Sequence, residues 1–174
     1  MKIVIASVFM VFLLVSLGAG PEFPQSPVMK SLHGQFSDQH FKVFSRSLIK
    51  TASNLGQKFD VGGGGQGEIL ENIREAEIFE IRREGPLDCN ELKLDLEKIL
   101  TSDQFDLLLN LSGPIGDIEL YGKADASTAR QLIAFTMDSV HFRTIEIKGA
   151  LDMKELMRLG PSGLTDLFKN ITSK

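Results

Sequence analysis

The stretch from Ile115 to Leu159, IGDIELYGKADASTARQLIAFTMDSVHFRTIEIKGALDMKELMRL, predicts three strands followed directly by a helix. Apolar and polar residues alternate around residues 117–121 and 142–148, which is typical of half-buried strands. Residues 132–137 are apolar on both sides of the chain, which favours a central position in the sheet. Asp152 has the position of an N-cap with a glutamate three residues later, so a helix should begin there.

The sequence upstream supplies the rest of one domain. Residues 76–83 and 105–111 predict two further strands, the first with a bulge or with both sides buried. Between them a helix should begin near Asp88 or Asn90 and present leucine and isoleucine side chains at helical spacing. We therefore expect a two-layer α+β domain over residues 69–174, with a mostly antiparallel sheet of four to five strands and helices packed on one face.

The composition excludes some classes of protein. The chain has 174 residues, a formal net charge of −4 and a pI near 5.4, whereas nucleic-acid binding favours a basic surface. A single cysteine excludes an intrachain disulfide and a cysteine-based zinc site. The 12 phenylalanines, with one tyrosine and no tryptophan, suit a phenylalanine-packed core.

The N-terminus has the pattern of a secretory signal peptide over residues 1–18. Lys2 gives a positive start, Ile3–Leu17 is apolar, and Ser16 and Gly18 favour cleavage after Gly18. The alternative is an uncleaved membrane anchor, although this run is short for a span of about 20 apolar residues. The expected location is therefore periplasmic or extracellular, with no stable membrane insertion once the signal peptide is removed.

Three segments are expected between the signal peptide and the domain. Residues 19–36 contain several prolines and predict a flexible leader. Residues 37–61 carry apolar side chains at spacings of three and four, which predicts an amphipathic helix. Residues 62–68 form a glycine-rich linker.

The glycine run also matches a nucleotide-binding motif in form. Gly62, Gly64 and Gly67 have the GxGxxG spacing. However, no clear strand precedes them, no lysine follows, and Glu68 would repel a phosphate group. The linker interpretation is therefore favoured, and no cofactor is expected.

The order of elements from Ile69 to Leu159 resembles the exported bacterial family called domain of unknown function 4252. The resemblance is carried by ELKLDLEKIL, FDLLLNL, IELYGK, RQLIAFTMD and IEIKGALDMKEL, and it covers about half of the chain. It implies an exported α+β domain of the bacterial envelope, often lipid-anchored, and it supplies no catalytic residues. This chain differs from the family's pattern because it lacks a lipid-bearing cysteine near the predicted cleavage site.

Several chemically active residues are candidates for a functional site. Four carboxylates lie in or beside the predicted strands, and most of them are expected on solvated outward faces: Asp117, Glu119, Asp138 and Glu146. The histidines have neither the spacing of a zinc helix nor an HExxH motif and are expected at the surface: His33, His40 and His141. Cys89 lies in the first turn of a predicted helix, where a thiol can be reactive, but a small buried side chain is the favoured interpretation.

These observations assign no catalytic, cofactor-binding or metal-ligating residue. The expected function is that of an exported noncatalytic module that binds a protein or an envelope component, and its partner would be an envelope protein. One alternative is a carrier of a small apolar ligand, suggested by the abundance of phenylalanine. An enzyme whose residues cannot be recognised from one sequence is less favoured.

Overall fold

The computed structural model describes six stretches of the chain and one further single residue: 24–47, 49, 66–85, 87–113, 116–125, 128–159 and 163–164. The predicted signal peptide and its cleavage site lie outside these residues. So do residues 62–65, which form most of the predicted glycine linker, while Gln66–Glu68 belong to a helix.

The centre of the fold is one sheet of six strands, in the order β1-β2-β6-β5-β4-β3. The strands are β1 (Phe41–Ser45), β2 (Ile73–Arg82), β3 (Asp106–Gly113), β4 (Gly116–Asp125), β5 (Thr128–Met137) and β6 (His141–Asp152). All neighbours pair antiparallel. The predicted α+β class and the interior position of β5 are confirmed, but the predicted four to five strands are wrong, because β1 adds to the sheet.

The described helices are α1 (Pro27–Gln35), α2 (Gln66–Asn72), α3 (Cys89–Ser102) and α4 (Met153–Arg158), with a short 3-10 turn at Asp38–His40. Asp88 caps α3 by accepting hydrogen bonds from two backbone N–H groups. Asp152 caps α4 in the same way. Both helix starts agree with the prediction, because each depends on a few neighbouring residues.

Both faces of the sheet are covered. On the α2–α4 face, Ile69 of α2 and Leu156 of α4 share an apolar cluster with residues of β2, β4, β5 and β6. On the α1–α3 face, Leu32 of α1 and Leu96 of α3 share a second cluster that includes Phe79. The prediction of helices on one face is therefore wrong, since strands such as β5 are apolar on both sides and each side is covered.

The described part of the predicted flexible leader, residues 24–36, is folded onto the core. Within residues 19–36, α1 buries Val28, Met29 and Leu32 completely. Ser26 caps this helix by accepting a hydrogen bond from the N–H of Met29 (3.1 Å). Pro27 occupies the first turn, where the missing N–H has no cost. Pro27 therefore marks the start of a helix and not a flexible segment.

The helix predicted over residues 37–61 is also corrected. Its first part forms the 3-10 turn and then β1, where Phe41 pairs with Phe79 and Phe44 pairs with Ala76 of β2. Residues 46, 47 and 49 are helical, and the other residues from 48 to 61 lie outside the described ones. A spacing of three between phenylalanines fits a helix, but pairing with a distant strand determines the structure. The folded unit therefore begins well before residue 69.

We expect Leu32→Ala to lower the free energy of unfolding by about 2–5 kcal/mol, because it removes a fully buried side chain between α1 and the sheet. Lys30→Ala is the matched control on the exposed side of the same helix and should change this energy by no more than about 0.5 kcal/mol. Urea denaturation measures both. If both substitutions change the free energy of unfolding by the same small amount, α1 does not pack as described.

Candidate functional site

A cluster of charged and polar side chains lies buried on the α1–α3 face. Glu77 of β2 and Glu146 of β6 are direct cross-strand partners and are 5% and 0% exposed. Thr144 and Lys148 lie in the same row of β6 and are also buried. We call these four residues the buried charge cluster. The expectation that Glu146 is solvated is wrong, because the N-terminal segment and α1 cover this part of the sheet.

Glu146 is held mainly by groups outside its own strand. Its Oε1 atom accepts hydrogen bonds from the backbone N–H of Ser26 (3.0 Å) and from the side-chain amide of Gln131. Its Oε2 atom lies 3.7 Å from the Nζ atom of Lys148. Burial raises the pKa of Glu146, and the opposing effects of Lys148, Gln131 and Ser26 are smaller.

Two buried oxygens of the cluster have no hydrogen-bond partner among the described residues. They are Glu146 Oε2 and Thr144 Oγ1, which lie two positions apart on the same face of β6. A buried oxygen without a hydrogen bond carries a desolvation cost, so the carboxyl group of Glu146 gains by retaining its proton.

Glu77 connects the sheet to the same N-terminal segment. Its Oε1 atom lies 2.6 Å from Nε2 of His33, and its Oε2 atom accepts from the side-chain amide of Gln25 (3.2 Å). The ring of His33 stacks on Phe41 with 3.7 Å between the centroids. His33 is therefore half-buried between α1 and β1 and is not the surface residue that was expected.

Lys148 supplies the positive charge of the cluster. Its Nζ atom donates to Glu75 Oε1 (2.9 Å) and faces Glu146. Burial alone would lower the pKa of Lys148, but Glu75 and Glu146 outweigh burial and raise this pKa. The ammonium group is thus charged, and it offsets the carboxylates that face it from both strands.

The contacts of the cluster indicate a structural role. Ser26, Gln25 and His33 attach the N-terminal segment to Glu77 and Glu146. The side-chain amide of Gln131 also donates to the backbone carbonyl of Pro24 (3.2 Å). An acid or base in catalysis must reach a substrate proton, whereas these carboxylates are buried against the protein's own backbone.

The other predicted carboxylates lie apart from this cluster. Asp117 is exposed on β4, while Glu119 is half-buried and accepts from Lys93 (2.6 Å). Asp138 accepts from Arg143 (2.7 Å) and from the backbone N–H groups of Val140 and His141. Partial burial would raise the pKa of Asp138, but these donors outweigh it and lower the pKa to about 2.

Cys89 is a small buried side chain, which confirms the favoured interpretation. It is the first residue of α3 and belongs to the cluster of the α1–α3 face. Burial is the largest cause that raises the pKa of its thiol. A raised pKa keeps the thiol protonated, and the protonated form is the unreactive one.

Within the described residues, no group of three histidine, cysteine, aspartate or glutamate side chains could hold a metal ion. The described helices include none that is long and apolar enough to cross a membrane. In comparisons with known proteins, no family model matches the chain, and no curated protein or solved structure matches it significantly.

Sequence reasoning missed most of the buried charge cluster. Alternate polar residues at 144, 146 and 148 look the same whether their face is solvated or covered. The available signal was upstream, where Ser26-Pro27 is a typical N-cap and first-turn pair followed by apolar residues at 28, 29 and 32. These residues predict a helix with an apolar face, which must pack against an apolar surface of the domain.

We expect Glu146→Gln to change how stability depends on pH. The pKa of Glu146 is raised in the folded state, so the folded protein binds this proton more tightly than the unfolded chain. The wild-type protein should therefore lose stability relative to Glu146→Gln as the pH rises above the ordinary glutamate value of 4.5. Urea denaturation over a pH series measures this difference.

Asp138→Asn is the control, because the pH dependence of its effect on stability should be opposite to that of Glu146→Gln. The pKa of Asp138 is lowered to about 2, so its stabilising effect is present above its ordinary value of 3.8 and is lost as the pH falls towards 2. The advantage of the wild-type protein over Asp138→Asn should disappear in acid. A difference between wild type and Glu146→Gln that does not change with pH would contradict the description of Glu146.

Proposed function

We propose that this protein is an exported, noncatalytic module that binds another protein or an envelope component. The predicted signal peptide and the resemblance to domain of unknown function 4252 support export. The buried charge cluster supports a noncatalytic role, since its carboxylates hold the protein's own N-terminal segment. The observation that carries the binding role is the outer edge of β3.

Strand β3 is an edge with less protection than β1, although its pairing with β4 is irregular between Leu107 and Leu109. It is eight residues long and ends the sheet, and among the described residues no strand pairs with its outer side. It contains no lysine, arginine or proline, and Leu107 is 51% exposed. An open, apolar edge of this kind favours the addition of another strand.

The opposite edge of the sheet is better protected against the addition of a strand. Strand β1 has only five residues, and the exposed Lys42 lies within it. Short length and a lysine are two of the ways in which proteins prevent strand addition. The contrast favours β3 as the binding edge.

The carrier of an apolar ligand has weaker support. The phenylalanines that suggested it include Phe79, Phe135 and Phe142, all of which are almost fully buried in the cluster of the α1–α3 face. Phe135 and Phe142 lie with their ring centroids 6.0 Å apart. These side chains fill the core in the described part of the protein.

A native pull-down tests the proposal. We expect the mature chain, residues 19–174, to retain a stoichiometric protein companion, identified by intact-mass analysis. Asn110→Pro should lose this companion because proline removes a backbone donor from β3. Val43→Lys, on the β1 edge, is the control and should retain it.

Circular dichroism of each variant must match the wild type for the comparison to be valid. Retention of the same companion by Asn110→Pro would contradict binding at the β3 edge. Recovery of a bound small molecule without any protein would favour the carrier.

A further inference from the structure

We propose that the β3 edge binds an extended segment of a partner protein in which lysine or arginine alternates with apolar residues. The inference rests on the proposed function, since it names the chemistry of the partner at the same edge. Three features beside β3 carry it: outward backbone groups, an acidic face of the sheet and an apolar face of the sheet.

The regular part of β3 offers four outward backbone groups. The pairing with β4 is irregular between Leu107 and Leu109, so an added strand can pair regularly only from Leu109 onwards. Alternate residues of an antiparallel strand turn their N–H and C=O groups away from the strand that they pair with. Counted back from Gly113, which closes a two-residue hairpin, the outward residues are Ser112 and Asn110. Hydrogen bonds to their backbone groups would hold an added strand, while the neighbouring side chains select its sequence.

The α1–α3 face of the sheet carries carboxylates beside this edge. Ser112 pairs with Asp117 of β4 and Asn110 pairs with Glu119, and paired residues share one face of a sheet. Tyr121, two residues after Glu119, belongs to the cluster of the α1–α3 face and so identifies that face. Asp117 is exposed and has no ion-pair partner among the described residues. A carboxylate without a counter-charge therefore lies one strand in from the edge.

The nearby cations do not balance this acidic charge. The Nζ atom of Lys93 on α3 lies 2.6 Å from Glu119 Oε1 and 3.3 Å from Glu97 Oε1, so one ammonium group faces two carboxylates. The Nζ atom of Lys123 lies 2.7 Å from a carboxylate just after α3 and is already paired. With Asp117 added, three carboxylates face the one ammonium group of Lys93. This side of the β3 edge is therefore acidic.

A lysine on an added strand can reach these carboxylates. Neighbouring strands lie about 4.8 Å apart, so Asp117 is about 10 Å from the backbone of a strand added beside β3. Ser112 lies between them and is small and exposed, which leaves space for the flexible stem of a lysine to cross it. A lysine or arginine at this place meets opposite charge, whereas an aspartate or glutamate is repelled.

The opposite face of the sheet favours apolar residues. Leu109 and Leu111 of β3 are partly buried and pack against the cluster of the α2–α4 face. Every second side chain of an added strand points to this face, where an apolar one would cover the leucine surface that is still exposed. The two faces together therefore select a segment in which basic and apolar residues alternate.

Other occupants fit this edge less well. A second copy of the chain would bring the same carboxylates together, and β3 has no lysine or arginine to offset them. Nucleic acids and membranes rich in acidic lipids carry negative charge and would also be repelled. A basic segment of another protein is the occupant whose charge is complementary.

Short synthetic peptides test this preference. The protein is expressed from its full reading frame, purified as the host exports it, and titrated by NMR with a peptide of alternating valine and lysine or of alternating valine and glutamate. We expect the valine–lysine peptide to bind about tenfold more tightly and to shift the amide signals of Asn110 and Ser112. A peptide of the same composition without the alternation should bind more weakly, because its charges then fall on both faces.

Substitutions of single carboxylates separate the edge from the overall charge of the protein. Asp117→Asn should weaken binding of the valine–lysine peptide about two- to fivefold. Asp117→Lys should make the valine–glutamate peptide the tighter ligand. Glu71→Gln is the control, since it removes an exposed charge from α2, which contacts β2 and β6, and it should bind like the wild type. Both positions are exposed, so the fold should stay intact.

The inference is overturned if the two alternating peptides bind equally, if neither binds, or if Asp117→Asn and Glu71→Gln have the same effect. A companion in the native pull-down that is lost in Asn110→Pro, without any preference for the valine–lysine peptide, would overturn the inference and leave the proposed function intact. The absence of both peptide binding and a companion would contradict both.

Discussion

The hydrogen bond from the backbone N–H of Ser26 to the buried carboxyl group of Glu146 is the contact on which the α1–α3 face depends. Removing a carboxylate from water costs several kcal/mol unless hydrogen bonds and opposite charge compensate for it. Ser26, Gln131 and Lys148 provide part of that compensation, and burial still raises the pKa of Glu146. The cluster therefore requires the N-terminal segment in place.

The same segment also covers the apolar part of this face. Helix α1 begins at Pro27, directly after Ser26, and its buried side chains join the cluster around Phe79. Without α1, the part of the cluster around Phe79 that this helix covers would be exposed to water. The polar row of β6 would be exposed as well. The polar contacts thus fix the position of a helix whose apolar side chains supply the larger part of the burial energy.

Local signals predicted the parts of the fold that nearby residues determine. Asp88 and Asp152 each act as an N-cap within a few residues of the helix they begin. Strand β5 is apolar on both sides and lies inside the sheet. Strand β1 could not be predicted in the same way, because its structure depends on pairing with residues of β2 that are 30 to 38 positions away in the chain.

The buried charge cluster could not be predicted either, because it also depends on residues that are distant in the chain. Glu146 has the sequence pattern of a solvated strand residue, and only the distant Ser26 and α1 make it buried. A periodic pattern gives the face on which a residue lies but not what covers that face. The outer edge of β3 was likewise hidden, since the order of strands in a sheet is not visible in one sequence.

Hydrogen exchange at the amides of Ser26 and Met29 tests most directly whether the N-terminal segment belongs to the cooperative core. Both amides donate to side chains within the fold. If the segment is integral, their protection should approach that of the β5 and β6 amides, which report on global unfolding. Rapid exchange at Ser26 and Met29 while β5 and β6 stay protected would contradict a core that depends on the contact between Ser26 and Glu146.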